Sequence, residues 1–514
     1  MADYDAIIIG SGAGGLSAAL KLARSDYSVM LLEAMTSFGG YLNPFTRNDY
    51  SFDTGLHYLG ELGGGDRFWR LIDELGLAES AKFVELNPEG FERYVFPDYE
   101  LRVCKGKERF KERLINDFPK EEDGICKFFS AFEKILEATK ASQAMGRGFL
   151  PMLGFVLRHP IMMKYSRVPY QRLLDDVTRD VRLQAALAAP CGDYGLPPSR
   201  SSAILALMVW AHYLKGAYYP CGGSGALRDS FVNAIKGNGG EMKRNSQVVS
   251  INKTGNEFLV STKHGEEYTS RVVVSNVDPV LTLDNLVSSE LVPAKFRKKA
   301  RQMRPSGSTF YAFIGTDLDL PSVGISDANI IHYNDYDINK IYKSLSALTP
   351  PESFPAFFIT SPSVKDPEGG HAPKGHHTVE IITGASYEPF ERWANLPSRG
   401  RGKEYEELKE NIGKRLIAAA EKYIPALSQH IDFVEYGTPL TNEYWVNARR
   451  GGNYGPEQTP DQVGPGRFIT SETGIGGLFL SGAGTMGGGI MPCIESGIQA
   501  GKKAARYMKA GGAV

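Results

Sequence analysis

A chain of 514 residues with 42% hydrophobic and 23% charged side chains lies close to the averages of globular proteins, which excludes disordered and fibrous classes and leaves room for about three domain-sized units. Its formal net charge of −1 gives no overall field to attract nucleic acid, so no nucleic-acid partner is expected. Five scattered cysteines, Cys104, Cys126, Cys191, Cys221 and Cys493, form no CxxC pair, which argues against a disulfide framework or a zinc site and for a reducing, cytoplasmic compartment.

Tyr4 to Ile9, YDAIII, is a short apolar run rich in β-branched residues, and it begins too early for a leader or transit segment to precede it. GSGAGG follows at once, then LSAALKLARS with apolar positions at helical spacing, then a second apolar run, VMLLE, from Val29 to Glu33. This is a βαβ unit of about 30 residues, and a parallel sheet starts here. Amphipathic helices are predicted at 65–77 and from Arg102 to Thr139, interleaved with short strands, which reads as an inserted domain. From Arg147 to Tyr165 the run RGFLPMLGFVLRHPIMMKY is apolar with basic flanks and is broken by Pro151 and Pro160. It is too short to span a bilayer, but suits either a helix lying on a membrane surface or a buried lid. QVVSI at 247–251 and RVVVS at 271–275 bracket a polar hairpin, predicted as a small antiparallel sheet returning to the first domain. GLFLSGAGTMGGG and the helical IMPCIESGIQAGKKAARYM close the chain with strand, glycine-rich turn and helix, so both ends read as parts of one domain.

Glycine is over-represented, with 57 residues, about 11% against a usual level of about 7%. Gly10, Gly12 and Gly15 form GxGxxG, in which the first glycine permits the tight turn, the second lets backbone approach a pyrophosphate and the third lets helix and strand pack closely. The helix N-terminus then offers unpaired N–H groups to phosphate, and Glu33, ending the second strand, can accept from ribose hydroxyls. The pattern predicts a bound dinucleotide. No second strand–GxGxxG–helix unit offers a separate nicotinamide domain.

From Ala34 to Gly39 and Gly40 the spacing resembles the extended signature of flavin amine oxidases and phytoene desaturases, which implies FAD. GAGTMGGGIMPCIESGIQAG resembles the closing motif of the same superfamily, whose helix N-terminus faces the flavin and can stabilise negative charge there. Over most of its length the chain resembles the phytoene desaturase, carotenoid isomerase and retinol saturase family. SFDTGLHYLG from Ser51, ITGASYEPFERW from Ile382 and TPLTNEYWVNARRGGNYG from Thr438 are most similar to retinol saturases. GAYYPCGGSGALRDSFVNAI from Gly216 resembles the family's tyrosine-proline-X-glycine-glycine segment, and GAGTMGGG is nearer to desaturases.

The resemblance implies an α/β fold: a Rossmann-type, amine-oxidase-like FAD-binding domain with an inserted α+β substrate domain. FAD-binding segments are expected at 1–85, 216–290 and 438–514, and substrate segments at 86–215 and 291–437. It implies cofactor contacts from Gly10, Gly12, Ala13, Gly14, Gly15, Glu33, Ala34, Gly39, Gly40, Tyr41, Val248, Val249, Asn276, Gly482, Gly484, Thr485, Gly488, Ile490 and Met491. The implied substrate is a long apolar polyene or unsaturated lipid, whose carbon–carbon double bonds are saturated, desaturated or isomerised by hydride transfer at flavin N5, with an unassigned electron donor or acceptor. Two other readings share the fold, a flavin amine oxidase and a non-catalytic prenyl-lipid escort.

Candidate catalytic residues are His57, able to move a proton at neutral pH, Tyr218 with Tyr219 as tunnel lining, Arg450 with Arg449, Tyr454, and Glu495. Each has a plain structural alternative: a hydrogen-bonded histidine, buried tyrosines, an ion pair, or a carboxylate complementing a helix N-terminus. His371, His376 and His377 read as a solvated loop with no metal, and Cys221 as packing.

Overall fold

The computed structural model describes residues 2–144, 149–347 and 353–511. The elements that position the site are, in chain order, β1 (Tyr4–Ile9), α1 (Ala13–Ala23), β2 (Val29–Leu32), β3 (Glu92–Val95), β4 (Glu100–Val103), α2 (Phe149–Arg158), α3 (Pro160–Tyr165) and α4 (Ala203–Tyr213). They continue with β5 (Glu241–Lys243), β6 (Val248–Thr254), β7 (Glu257–Thr262), β8 (Glu267–Ser275), β9 (Ser308–Thr316), β10 (Asn329–Tyr333), β11 (Ala356–Thr360), β12 (His377–Ala385), β13 (Ile431–Gly437), β14 (Leu478–Leu480) and α5 (Ile490–Lys509).

The first sheet has the order β5-β2-β1-β8-β7-β6, with β14 also paired to β8. Its centre is parallel: β1 pairs with β2 and β8, β2 with β5, and β8 with β14. A parallel centre must be covered on both faces, which is why YDAIII is apolar without alternation. Ala6 and Ile8 pack into the cluster containing α1 and α5, whereas Ile7 and Ile9 pack into the opposite cluster with Val248, Phe258 and Leu283. The hairpin expected at 247–275 is the antiparallel set β6-β7-β8. α1 lies along α5 at very short range, since a Cβ at Gly497 would stand 2.1 Å from Gly14 O.

The second sheet, β13-β9-β12-β11-β10-β3-β4, is antiparallel except where β3 runs parallel to β10. Arg102 therefore begins no helix; it lies in β4, because Glu100–Val103 alternates inward Leu101 and Val103 with outward Arg102. The fold is α/β, a Rossmann-type sheet joined to an inserted α+β unit, as expected.

Arg147 and Gly148, which open the apolar segment ahead of α2, lie outside the described residues. α2 and α3 expose Met152 (51%), Leu153 (43%), Leu157 (74%) and Met163 (65%). Among the described residues no helix is long and apolar enough to cross a membrane.

Candidate functional site

The turn between β1 and α1 is glycine because other residues do not fit. Gly10 has φ +87°, in the left-handed region, and a Cβ at Gly15 would stand 1.9 Å from Gly10 O. A Cβ at Gly14 would lie 2.6 Å from the backbone N of Gly482, so the opening turn and the closing turn touch. Asn276, one residue past β8, fills the corner between them, its amide facing the Cβ positions of Gly12, Gly14 and Gly482. Glu33 is braced rather than free: Oε2 accepts from Ser11 N at 2.9 Å and Ser11 Oγ at 2.5 Å, and Oε1 accepts from Met35 N at 2.9 Å. Oε2 is thereby saturated, and Oε1 keeps a further lone pair for a ribose hydroxyl.

One cavity of about 2530 Å³ runs from this cradle across the interior. Gly10, Gly12, Ala13, Gly14, Glu33, Ala34, Gly39, Gly40, Tyr41, Val248, Val249, Asn276, Gly482, Gly484, Gly488, Ile490 and Met491 all line it. FAD fits this donor set: the cradle exposes backbone where a Cβ would intrude, Glu33 stands at the end of β2, and the N-terminus of α5 opens into the cavity beyond Gly489 (φ +101°). Two expected contacts are corrected. Gly15 packs helix against strand away from the cavity wall, and buried Thr485 turns its hydroxyl back to Gly482 O at 2.7 Å.

The closing turn has a brace that the motif did not reveal. Arg467, fully buried, donates to the carbonyls of Gln462 (2.7 Å), Pro456 (2.7 Å), Glu457 (3.0 Å) and Ala483, and to Gln458 Oε1 at 2.9 Å. Its guanidinium is spent on tying 456–462 to the turn.

Beyond the cradle the wall becomes aromatic and aliphatic. Phe313 of β9, Ile331 and Tyr333 of β10, Phe357 and Phe358 of β11, and Leu205, Val209 and Tyr213 of α4 face the same space. Tyr58 stacks on Tyr213 with ring centroids 4.4 Å apart. Its hydroxyl lies 2.9 and 2.8 Å from Glu92 Oε1 and Oε2 and 3.1 Å from Asp193 Oδ2. Burial pushes Asp193 up to about 7, against the lowering effect of the Tyr58 hydrogen bond. Burial and the neighbouring Asp193 push Glu92 up as well.

His57 lines the cavity, its Nδ1 3.0 Å from Glu380 Oε2. Burial, reinforced by Lys365, lowers the imidazole to about 4, and burial with Asp53 raises Glu380, so the surroundings disfavour the charged form of both groups. Lys365, buried, donates to His57 O (2.7 Å), Asn329 Oδ1 (2.5 Å) and Thr360 Oγ1 (2.6 Å), and burial lowers it to about 8. Tyr454 lines the cavity, donates to Gly192 O at 3.1 Å, and its backbone O stands 2.6 Å from the Cβ position of Gly488.

Other expected residues are engaged by protein partners, although Arg449, Arg450 and Glu495 also line the cavity. Tyr218 does not line the cavity; it belongs to the middle strand of a three-stranded sheet, Ala217–Pro220, and its hydroxyl meets Lys105 Nζ and Glu85 Oε1, each at 3.2 Å. Tyr219 is equally buried and donates to Asp53. Arg450 stands at the cavity edge with φ 52°, paired with Glu388 (2.6 Å) and Glu391 (3.0 Å). Arg449 holds Asp278 at 3.0 Å, and Glu495 is paired with Arg67 at 2.5 Å. His371 is not solvated: it is 5% exposed and lies 3.3 Å from Asp366, because the 366–376 loop folds back over Tyr219. Cys221 is exposed on the turn into the helix Gly223–Gly237 instead of packed.

Glu92, Asp193, Tyr58 and Arg467 were not singled out in the sequence. Only Glu92 left a trace there, since ERYV places Glu92 and Tyr94 on the inward face of an alternating strand.

The profile of the flavin containing amine oxidoreductase family matches residues 13–509. An all-trans-retinol 13,14-reductase of Rattus norvegicus is 29% identical over 523 residues, covering 96% of this chain and 84% of that protein. A chloroplastic prolycopene isomerase of Arabidopsis thaliana is 26% identical over 509 residues, covering 96% and 81%. Among solved structures, putrescine oxidase bound to putrescine superposes with a TM-score of 0.65 at 14% identity, covering 99% of both chains, a likeness of fold.

Proposed function

This chain belongs to the flavin containing amine oxidoreductase family, and from that membership we propose that it is a saturase of retinoid- or carotenoid-class polyenes, adding hydrogen across one carbon–carbon double bond. It is an FAD-dependent enzyme. The observation that carries the substrate reading is the single cavity joining the nucleotide cradle to an aromatic and aliphatic wall, which suits a long apolar chain laid against the cofactor. The similarity to proteins named retinol reductases and a prolycopene isomerase supports the same class.

When bound, FAD supplies the hydride acceptor or donor. The chain's own residues seat and enclose it. Gly10, Gly12, Gly14 and Glu33 take the ADP half, and Gly482, Gly484, Gly488, Ile490 and Met491 face the flavin half. Arg467 holds the closing turn rigid, and Tyr213, Phe357 and Phe358 exclude water from the double bond. The segments 1–85, 216–290 and 438–514 form the cofactor unit in this reading, and 86–215 with 291–437 form the substrate unit. Strand membership supports that division, since the first sheet draws on 4–32, 241–275 and 478–480 and the second on 92–103, 308–385 and 431–437. The exposed apolar residues of α2 and α3 provide a membrane-surface contact at which a lipophilic substrate is collected.

Anaerobic stopped-flow absorbance tests the reading. Reduced holoenzyme offered all-trans-retinol or a carotenoid is expected to reoxidise while the polyene gains two hydrogens. Double-bond movement with no net flavin change would make the protein an isomerase, and oxidised flavin reduced only by amines would remove the polyene class.

A further inference from the structure

Tyr58 has one hydroxyl proton, yet its oxygen stands 2.8 to 3.1 Å from oxygens of two carboxyl groups, Glu92 and Asp193. One hydroxyl donates to one acceptor at a time. With both carboxyls ionised, the second contact would set two lone-pair-bearing oxygens against each other beside a like charge. The geometry is satisfied when one carboxyl carries a proton and donates it to the Tyr58 oxygen while Tyr58 donates to the other. All three side chains line the cavity, so this extra proton is held at the wall of the space that takes substrate.

The placement is rigid. Glu92 lies on β3, registered against Asn329 of β10, and Tyr58 is clamped by its stack on Tyr213. Asp193 follows Gly192, whose carbonyl receives the Tyr454 hydroxyl, and Tyr454 backs directly on Gly488 of the closing turn. The pair is thus coupled to the segment that faces the flavin half of the cavity.

We propose that Glu92 and Asp193, bridged by Tyr58, are the general acid of this enzyme, a catalytic pair that delivers the proton half of double-bond reduction; the inference rests on the double-bond reading above. FAD, when bound and reduced, would supply one carbon with a hydrogen and its electron pair. The adjacent carbon takes the proton from the carboxyl pair, and the former π electrons become that second C–H bond. The pair, one proton poorer, is recharged from solvent, and an external two-electron donor of the reduced-nicotinamide class restores the cofactor. The charged and titratable groups facing the pair are Lys365 from the short helix Pro362–Lys365, Tyr94 on β3, Tyr213 on α4, Tyr333 on β10, Tyr194, Tyr454 and Cys191. Of these Lys365 favours the ionised carboxylate, and burial of the site favours the protonated one.

The test uses purified holoenzyme, wild type with Asp193→Asn, Glu92→Gln and Tyr58→Phe, each checked for FAD content by absorbance. Infrared difference spectra in H2O and D2O read the carboxylic acid C=O stretch without any substrate; it is expected in the wild type near neutral pH and lost in the carboxyl variants. Flavin reduction by dithionite is expected to stay at the wild-type rate, while reoxidation by the polyene falls on the order of a hundredfold or more and its decline with rising pH disappears. In D2O the wild type places one solvent deuterium on the carbon next to the one that receives hydride. Variants that reoxidise at the wild-type rate with unchanged deuterium placement overturn the acid role and leave the polyene reading standing. A wild type that lacks the infrared band overturns the shared proton itself. A wild type that shows the band but reduces no polyene overturns the function reading and this role together.

Discussion

Burial raises the Asp193 carboxyl, and that has a consequence for stability whatever it does in catalysis. Its carboxyl moves from the ordinary range, about 4, to about 7, chiefly through burial. A group whose folded pKa is raised contributes stability fully present below the unfolded value and lost as pH rises through the folded one. The wild type is therefore expected to lose stability relative to Asp193→Asn between about pH 4 and pH 7, with the difference level above that. Thermal melts of both proteins across pH check this, and parallel curves would remove the buried proton. The residues of this pair were invisible in the chain, whereas Gly10, Gly12 and Glu33 were legible. A glycine turn and the acid ending the next strand are local demands of one βαβ unit. Asp193 meets Glu92 only because a short 3-10 helix, Ala189–Tyr194, folds against a strand at 92, and no spacing in the sequence reports that. The same holds for Tyr218, which looked like a tunnel residue until a strand on each side covered it.

At the scale of elements, the parallel strands were readable because burial on both faces leaves unbroken apolar runs, and the closing strand, turn and helix by their glycines. The contact between the two glycine turns was not readable, nor was the recruitment of β3 beside β10, since both join segments far apart in the chain. The packing of α1 on α5 makes a sharp prediction. At Gly497 any side chain meets Gly14 O at 2.1 Å, backbone that cannot step aside. Gly497→Ala should destabilise by about 1–3 kcal/mol and lower FAD occupancy, because the helix it displaces carries the closing turn. Gly237→Ala, whose Cβ meets nothing within 4 Å, should melt like the wild type in the same assay. Equal melting of both variants would mean that the helices slide freely.

For the molecule as a whole, one side presents Met152, Leu153, Leu157 and Met163 beside exposed Arg158 and Lys164, and no described residue of that segment lines the cavity. That favours the surface-contact reading of the segment over the lid. Leu157→Glu with Met163→Glu should release the protein from anionic vesicles in co-sedimentation, each side chain removing about 1.5–3 kcal/mol of apolar burial, with FAD content untouched. Unchanged sedimentation would assign these residues elsewhere. The two halves of the cofactor cradle also differ in when they exist. During synthesis Gly10 to Glu33 leaves the ribosome well before Gly482 and α5, which must find an edge already built beside β8 and α1, a closure across a long stretch of chain. The seat for the flavin is thereby finished only once the closing segment has docked, so a chain that stops short of Gly482 offers no enclosed redox centre, and cofactor capture reports that the two distant halves of the cradle have met.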